Sequence, residues 1–210
     1  NLNQTLACGE RVLSLLEETP EVAERSDGET PRFEGAELDR VSFAYREEKI
    51  LSEFSLQIDK GKVLGIHGAS GSGKSTLLKL LMRFWDVQKG AVRISGEDVR
   101  DIQTAALREM TSYVTQDTVL FRDTIAKNIA VAKLDATQAE IEVAAAKASI
   151  HDFIMSLPKG YETELGELGD TLSDGEKQRI GLARAFLHEA DFILLDEPTS
   201  NLDVLNEGII

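Results

Sequence analysis

The chain has 210 residues, 42% of them hydrophobic, which is enough apolar side chain for a sizeable core and too much for a disordered tail. Acidic residues outnumber basic ones 37 to 23, a formal charge of -14 that disfavours nucleic-acid backbones and anionic membrane surfaces, so any phosphate must be held locally. A lone Cys8 excludes an internal disulfide framework and a zinc pattern and points to a reducing, cytosolic setting; no run of about eighteen apolar residues and no signal peptide is present.

From Asn1 to Glu18, apolar residues at Leu2, Leu6, Val12, Leu13, Leu15 and Leu16 are spaced for an amphipathic helix, which Pro20 closes. The stretch Glu21 to Gly35, rich in charge, Pro and Gly, reads as a linker. Two strand-like runs follow, "ELDRVSFAY" and "ILSEFSLQI", separated by the polar turn "REEK". "KVLGIHG" is then predicted as a compact apolar strand leading into a glycine-rich loop and a helix through "STLLKLLMRF". "AVRIS" and "TSYVT" are further short strands. Between Thr124 and Ile154 the pattern turns helical, with "ATQAEIEVAAAKASI" its clearest piece. Ser173, with Glu176 three positions on, forms a capping box at the start of another helix. "DFILLD" after it is the kind of short apolar run expected of a strand packed on both faces. Strands and helices alternating around a glycine-rich loop give an α/β class with a helical insertion.

Two motifs carry chemistry. "GASGSGKS", Gly68 to Ser75, satisfies G-x-x-x-x-G-K-[ST] between a strand and a helix. Its glycines let backbone N–H groups curl around phosphate oxygens, Lys74 supplies charge to the β and γ phosphates, and Ser75 offers a hydroxyl to Mg²⁺. The expected contacts with nucleotide run through Gly68, Ser70, Gly71, Ser72, Gly73, Lys74, Ser75 and Thr76. "ILLDE" places Asp196 and Glu197 at the C-terminal end of a buried strand, where ligands bind open α/β sheets. Asp196 is expected to hold Mg²⁺, directly or through water, and Glu197 to orient or deprotonate an attacking water. Phosphoryl transfer to water is the natural chemistry of that pair.

With "LSDGEKQR" just upstream of "ILLDEPTSNLD", the chain closely resembles the ATP-binding cassette (ABC) family, whose signature LSGGQ precedes the second motif in this way. The resemblance covers Val41 to Asp203. It implies a RecA-like P-loop NTPase core, a small antiparallel β lobe near Glu37 to Ile58 and an inserted helical lobe from about 117 to 186. It also implies ATP and Mg²⁺ as ligands and a second ABC ATPase domain as partner. In that family two cassettes pair head to tail, and the signature of one caps the γ-phosphate of ATP held by the other. Ser173 and Gly175 would play that part here. Tyr45 matches the aromatic residue that stacks on adenine. Gln116 matches the glutamine that reaches Mg²⁺ and the attacking water and signals to the membrane domain, and Ser200 to Asp203 the loop across the dimer interface. Asp174 and Glu176 depart from the usual glycine and glutamine of the signature. The family's switch histidine is expected beyond Ile210; His67, His151 and His188 read as structural or surface residues.

"LFRDTIAKNI" and "TELGELGDTLSDGE" resemble exporter segments, the latter the one that touches the membrane domain. "LACGERVLSLLEETPE" resembles the cytoplasmic end of a last transmembrane helix leading into a fused cassette. The expectation is therefore residues 1–35 as helix and linker from a membrane domain of the same polypeptide and 36–210 as the ATPase domain. It would be a soluble fragment working at the cytoplasmic face of the cell membrane, with no nucleic-acid partner. The alternative is a stand-alone cassette ATPase of DNA repair, translation or cluster assembly; a binding-only regulatory cassette would be suggested by loss of Glu197, which is present.

Overall fold

A computed structural model describes residues 2–115, 117–166 and 172–196. Helix α1, Leu2–Glu17, leaves Val12, Leu13 and Leu16 more than half exposed. Strands β1 (Gly35–Tyr45) and β2 (Glu48–Asp59) pair antiparallel, as their alternating apolar residues require. β3 (Lys89–Ile94) adds to the other edge of β1, and the short β4 (Glu97–Asp98) completes a four-stranded sheet in the order β2-β1-β3-β4. Against it packs α2, Lys74–Leu81, whose Leu77, Leu78, Leu80 and Leu81 join Leu38, Val41, Phe43 and Ile94 in a first core.

The second sheet is a parallel pair, β5 (Thr111–Val114) and β6 (Phe192–Leu195), in the register Tyr113 to Leu194 and Val114 to Leu195. Its two faces belong to different cores: Phe192 and Leu194 enter the first, while Ile193 and Leu195 pack against a second. The apolar run "FILL" thus has protein on both faces, as expected. The second core is helical. It gathers residues from α4 (Ile125–Ala130), α5 (Gln138–Lys147), α6 (His151–Ser156) and α7 (Asp174–His188), with Ile129, Ala145, Ile154 and Ala183 fully enclosed. α3, Thr104–Met110, was not signalled by periodicity and leads directly into β5.

The stretch read as a linker is fastened more firmly than its composition suggests. Phe33 is 4% exposed and stacks on Phe192 at 4.8 Å, while Glu29 exchanges backbone hydrogen bonds with Asp101 and Gln103. Gly28 makes this approach possible, since a Cβ there would lie 2.5 Å from the Asp101 carbonyl oxygen.

One expectation fails. "KVLGIHG" is not a strand: residues 62–69 form no ladder, and Val63 and Leu64 are 80% and 45% exposed. A strand exists only through backbone pairing with a neighbour. Among the described residues no strand pairs with this segment, and apolar composition alone does not make a strand.

Candidate functional site

The glycine-rich loop follows that segment and ends at the N-terminus of α2. Gly73 is the N-terminal cap, in the left-handed region at φ 93°, and it turns the chain so that the helix opens without a side-chain cap. The free N–H groups of the first turn, with the positive end of the helix dipole, make an anion seat. Ala69, Ser70, Gly71 and Ser72 lie exposed around it. The Lys74 ammonium folds back on the loop, donating to the carbonyls of Gly68 and Ala69 at 2.9 Å each. Those carbonyls hold a cation where a phosphate group would compete for it. Thr76 is buried in the helix behind the loop.

Ser75 and Asp196 come from opposite ends of the sequence and meet: Ser75 Oγ donates to Asp196 Oδ1 at 2.9 Å. Asp196 directly follows β6, and its backbone N–H donates to Val114 O at 2.9 Å, which holds the carboxylate at the strand end beside α2. A hydroxyl and a carboxylate are hard oxygen donors, the set that suits Mg²⁺. Among the described residues no cluster of His, Cys, Asp and Glu forms a softer site.

Tyr113 belongs to the same site and was missed. Its hydroxyl donates to Asp196 Oδ2 at 2.9 Å, and burial together with the Asp196 carboxylate raises its pKa far above the ordinary phenol value. The only available signal was the position of a polar aromatic at alternate spacing in "TSYVT", which an ordinary core tyrosine shares. Tyr45, at the end of β1, is half-buried, with Phe43 at 4.9 Å and Trp85 at 5.2 Å, both perpendicular to its ring.

At the start of α7 the capping box is present as expected: Ser173 Oγ accepts from Glu176 N at 3.3 Å, and Glu176 Oε2 accepts from Ser173 N at 2.7 Å. Asp174 is 84% exposed, with Lys177 Nζ 3.8 Å away. Among the described residues, both hydrogen bonds given for Ser173 are with Glu176 of its own helix. The histidines fall as expected: His67 is exposed, His151 Nδ1 lies 2.8 Å from Tyr161 Oη, and His188 Nε2 lies 3.2 Å from Arg108 O. Gln116, Glu197, Ser200 to Asp203 and the 167–169 part of the segment expected to face a membrane domain lie outside the described residues. Beside β5 and α7 lies a groove of about 540 Å³, lined among others by Thr115, Asp117, Val119, Phe121, Val131 and Arg184.

Comparison with known proteins places these features in context. A family model described as ABC transporter matches residues 51–200. A probable ABC transporter ATP-binding/permease protein of Haemophilus influenzae is 60% identical over all of this chain, which spans 38% of that protein's length. An ATP-dependent lipid A-core flippase of Syntrophus aciditrophicus is 44% identical over 96% of the chain and 34% of its own length. Among solved structures, a bacterial Atm1-family ABC exporter with ATP bound superimposes with a TM-score of 0.89 at 39% identity, over 97% of this chain and 36% of that one.

Proposed function

Because the chain belongs to the ABC transporter family, as the ATP-binding part of proteins several times its length, we propose that it is the ATP-hydrolysing motor domain of an exporter. The hydrogen bond between Ser75 and Asp196 is the observation that carries the assignment, because it joins the phosphate loop to the strand end that bears the carboxylates. The two cores support a division into a RecA-like part with an antiparallel lobe and a helical lobe over about 117–186.

In this reading the N–H groups from Gly71 to Ser75 receive the phosphates, and Lys74 exchanges its two loop carbonyls for the β and γ oxygens. Mg²⁺, when bound, would neutralise developing charge on the phosphates, held by Ser75 and Asp196, with Gln116 as a further ligand. Glu197 takes the proton of the attacking water. Tyr45 carries the adenine. Ser173 and Gly175 complete the site of a second cassette, which accords with the exposure of Asp174 between them.

The membrane partner is read as a transmembrane domain of the same polypeptide, as the printed name ATP-binding/permease indicates for a relative. Among the described residues no helix is long and apolar enough to cross a membrane, so that domain would belong to a part of the polypeptide outside these 210 residues. Exposed Val119 and Phe121, close to Gln116 in sequence, line one groove with Val131 and favour this face as its contact at the cytoplasmic surface. The test is direct. Lys74→Ala should abolish MgATP binding, whereas Glu197→Gln should keep binding and stop turnover in the full transporter; unchanged binding in Lys74→Ala would refute the assignment.

A further inference from the structure

Both oxygens of the Asp196 carboxylate are engaged, and by different elements. Oδ1 accepts from Ser75 on α2, and Oδ2 accepts from Tyr113 on β5, each at 2.9 Å. A carboxylate held at one oxygen can swing about its last bond; one held at both cannot without breaking a hydrogen bond. Tyr113 is itself held. The β5–β6 ladder sets it opposite Leu194, its ring meets Phe84 edge-on at 6.0 Å, and its body packs against the first core. Among the described residues no Lys or Arg pairs with Asp196, so the two hydroxyl donors orient the carboxylate while leaving its charge uncompensated.

We propose that Tyr113 is a positioning residue for the divalent-cation site: by holding Oδ2, it keeps Oδ1, the oxygen shared with Ser75, turned toward the cation. The proposal rests on the reading of this loop as an MgATP site. The hydroxyl is suited to the task. It donates to Asp196 Oδ2 at 2.9 Å, and a group engaged as a donor does not compete with the carboxylate for the metal. Partners that orient a metal ligand from outside the coordination sphere are worth about 10–100-fold in metal affinity. Asp196 is described as one ligand among several, so the expected loss lies at the lower end of that range.

The test uses purified full-length transporter with a non-hydrolysable ATP analogue, and free Mn²⁺ read by electron paramagnetic resonance. Tyr113→Phe keeps the ring and its seat against Phe84 and removes only the oxygen. It should weaken Mn²⁺ binding by about tenfold. Nucleotide affinity in EDTA and the melting temperature should match the parent. Asp196→Asn serves as the comparison and should lose more. If Tyr113→Phe holds Mn²⁺ as tightly as the parent while Asp196→Asn does not, the positioning role is wrong and the cation site stands. If neither variant changes Mn²⁺ binding, the cation site itself is wrong. A Tyr113→Phe protein that loses metal-free nucleotide binding in equal measure would show a structural residue and overturn the proposal.

Discussion

Gly73 and Gly71 offer a way to weigh two physical effects at the phosphate loop against each other. Both have positive φ, +93° and +77°, but their surroundings differ. A Cβ on Gly71 would have nothing within 4 Å, whereas one on Gly73 would lie 3.0 Å from Ile50 Cγ2 and 3.4 Å from Leu51 Cδ2. Gly71→Ala therefore meets backbone strain alone, about 1–2 kcal/mol for an L-residue in the left-handed region. Stiffening of the unfolded chain returns about 0.4–1 kcal/mol of it. Gly73→Ala adds crowding against the β2 side chains, about 1–3 kcal/mol for overpacking of this kind. For a domain of this size each kcal/mol moves the melting temperature by about 2–4 °C, so Gly73→Ala should melt roughly 2–12 °C below Gly71→Ala. Ile50→Ala removes the nearest methyl and should recover most of that difference. The double variant Gly73→Ala/Ile50→Ala should accordingly be more stable than the sum of its parts by about 1 kcal/mol. Thermal unfolding of the four variants and the parent measures all of this. Equal melting of the two alanine variants, or simple additivity with Ile50→Ala, would refute the reasoning.

Two further outcomes follow from the site. Trp85 is the only tryptophan of the chain and lies 5.2 Å from Tyr45, so if Tyr45 carries adenine, saturating MgATP should change Trp85 emission. That change should vanish in Tyr45→Ala, and an emission spectrum indifferent to nucleotide in the parent would remove Tyr45 from the site. Asp174, 84% exposed at the signature tip, would stand near the γ-phosphate of a partner, which suggests a heterodimer whose other subunit carries an intact signature. One like charge about 4 Å away costs about 1 kcal/mol in a water-like medium, so Asp174→Gly should raise turnover at the partner's site about fivefold and leave the Lys74 site unchanged. Site-resolved ATP turnover that is equal at both sites before and after the substitution would instead indicate a homodimer with Asp174 turned outward.

What could be read from the sequence was what neighbouring residues determine among themselves. The capping box at Ser173 and Glu176 needs only three residues of spacing, and it is there. The β1–β2 hairpin needs alternation and a polar turn, and it pairs over its length. The phosphate loop needs glycines at fixed offsets, and Gly71 and Gly73 take the positive φ that only glycine adopts without strain. Features that depend on distant segments were hidden. "KVLGIHG" has the composition of a strand, yet pairing is a property of a neighbour, and none of the described strands pairs with it. Phe33 sits in a stretch with the polarity of a linker and reaches the core because Phe192, far along the chain, offers a ring to stack on. Tyr113 became legible only when β5 and β6 were aligned, because the register of that pair sets which strand-end residue its hydroxyl meets.

If the α7 tip and the Ser75–Asp196 pair act together, as the proposed function has it, the same strand pair offers the route between them. β5 and β6 lie between the two cores, with Phe192 and Leu194 on one side and Ile193 and Leu195 on the other. α7, which begins at the signature, packs on β5 as well as on α4 and α5, and Arg184 on it donates to Asn128 O at 2.7 Å and Val119 O at 2.8 Å. A close-packed interior transmits a displacement rather than absorbing it. Pressure on the α7 tip from a partner's nucleotide would therefore reach β5, and β5 carries Tyr113, whose hydroxyl holds Asp196. Loosening the hydroxyl without disturbing the packing, as Tyr113→Phe does, should thus uncouple the cation site from α7 while leaving both cores intact.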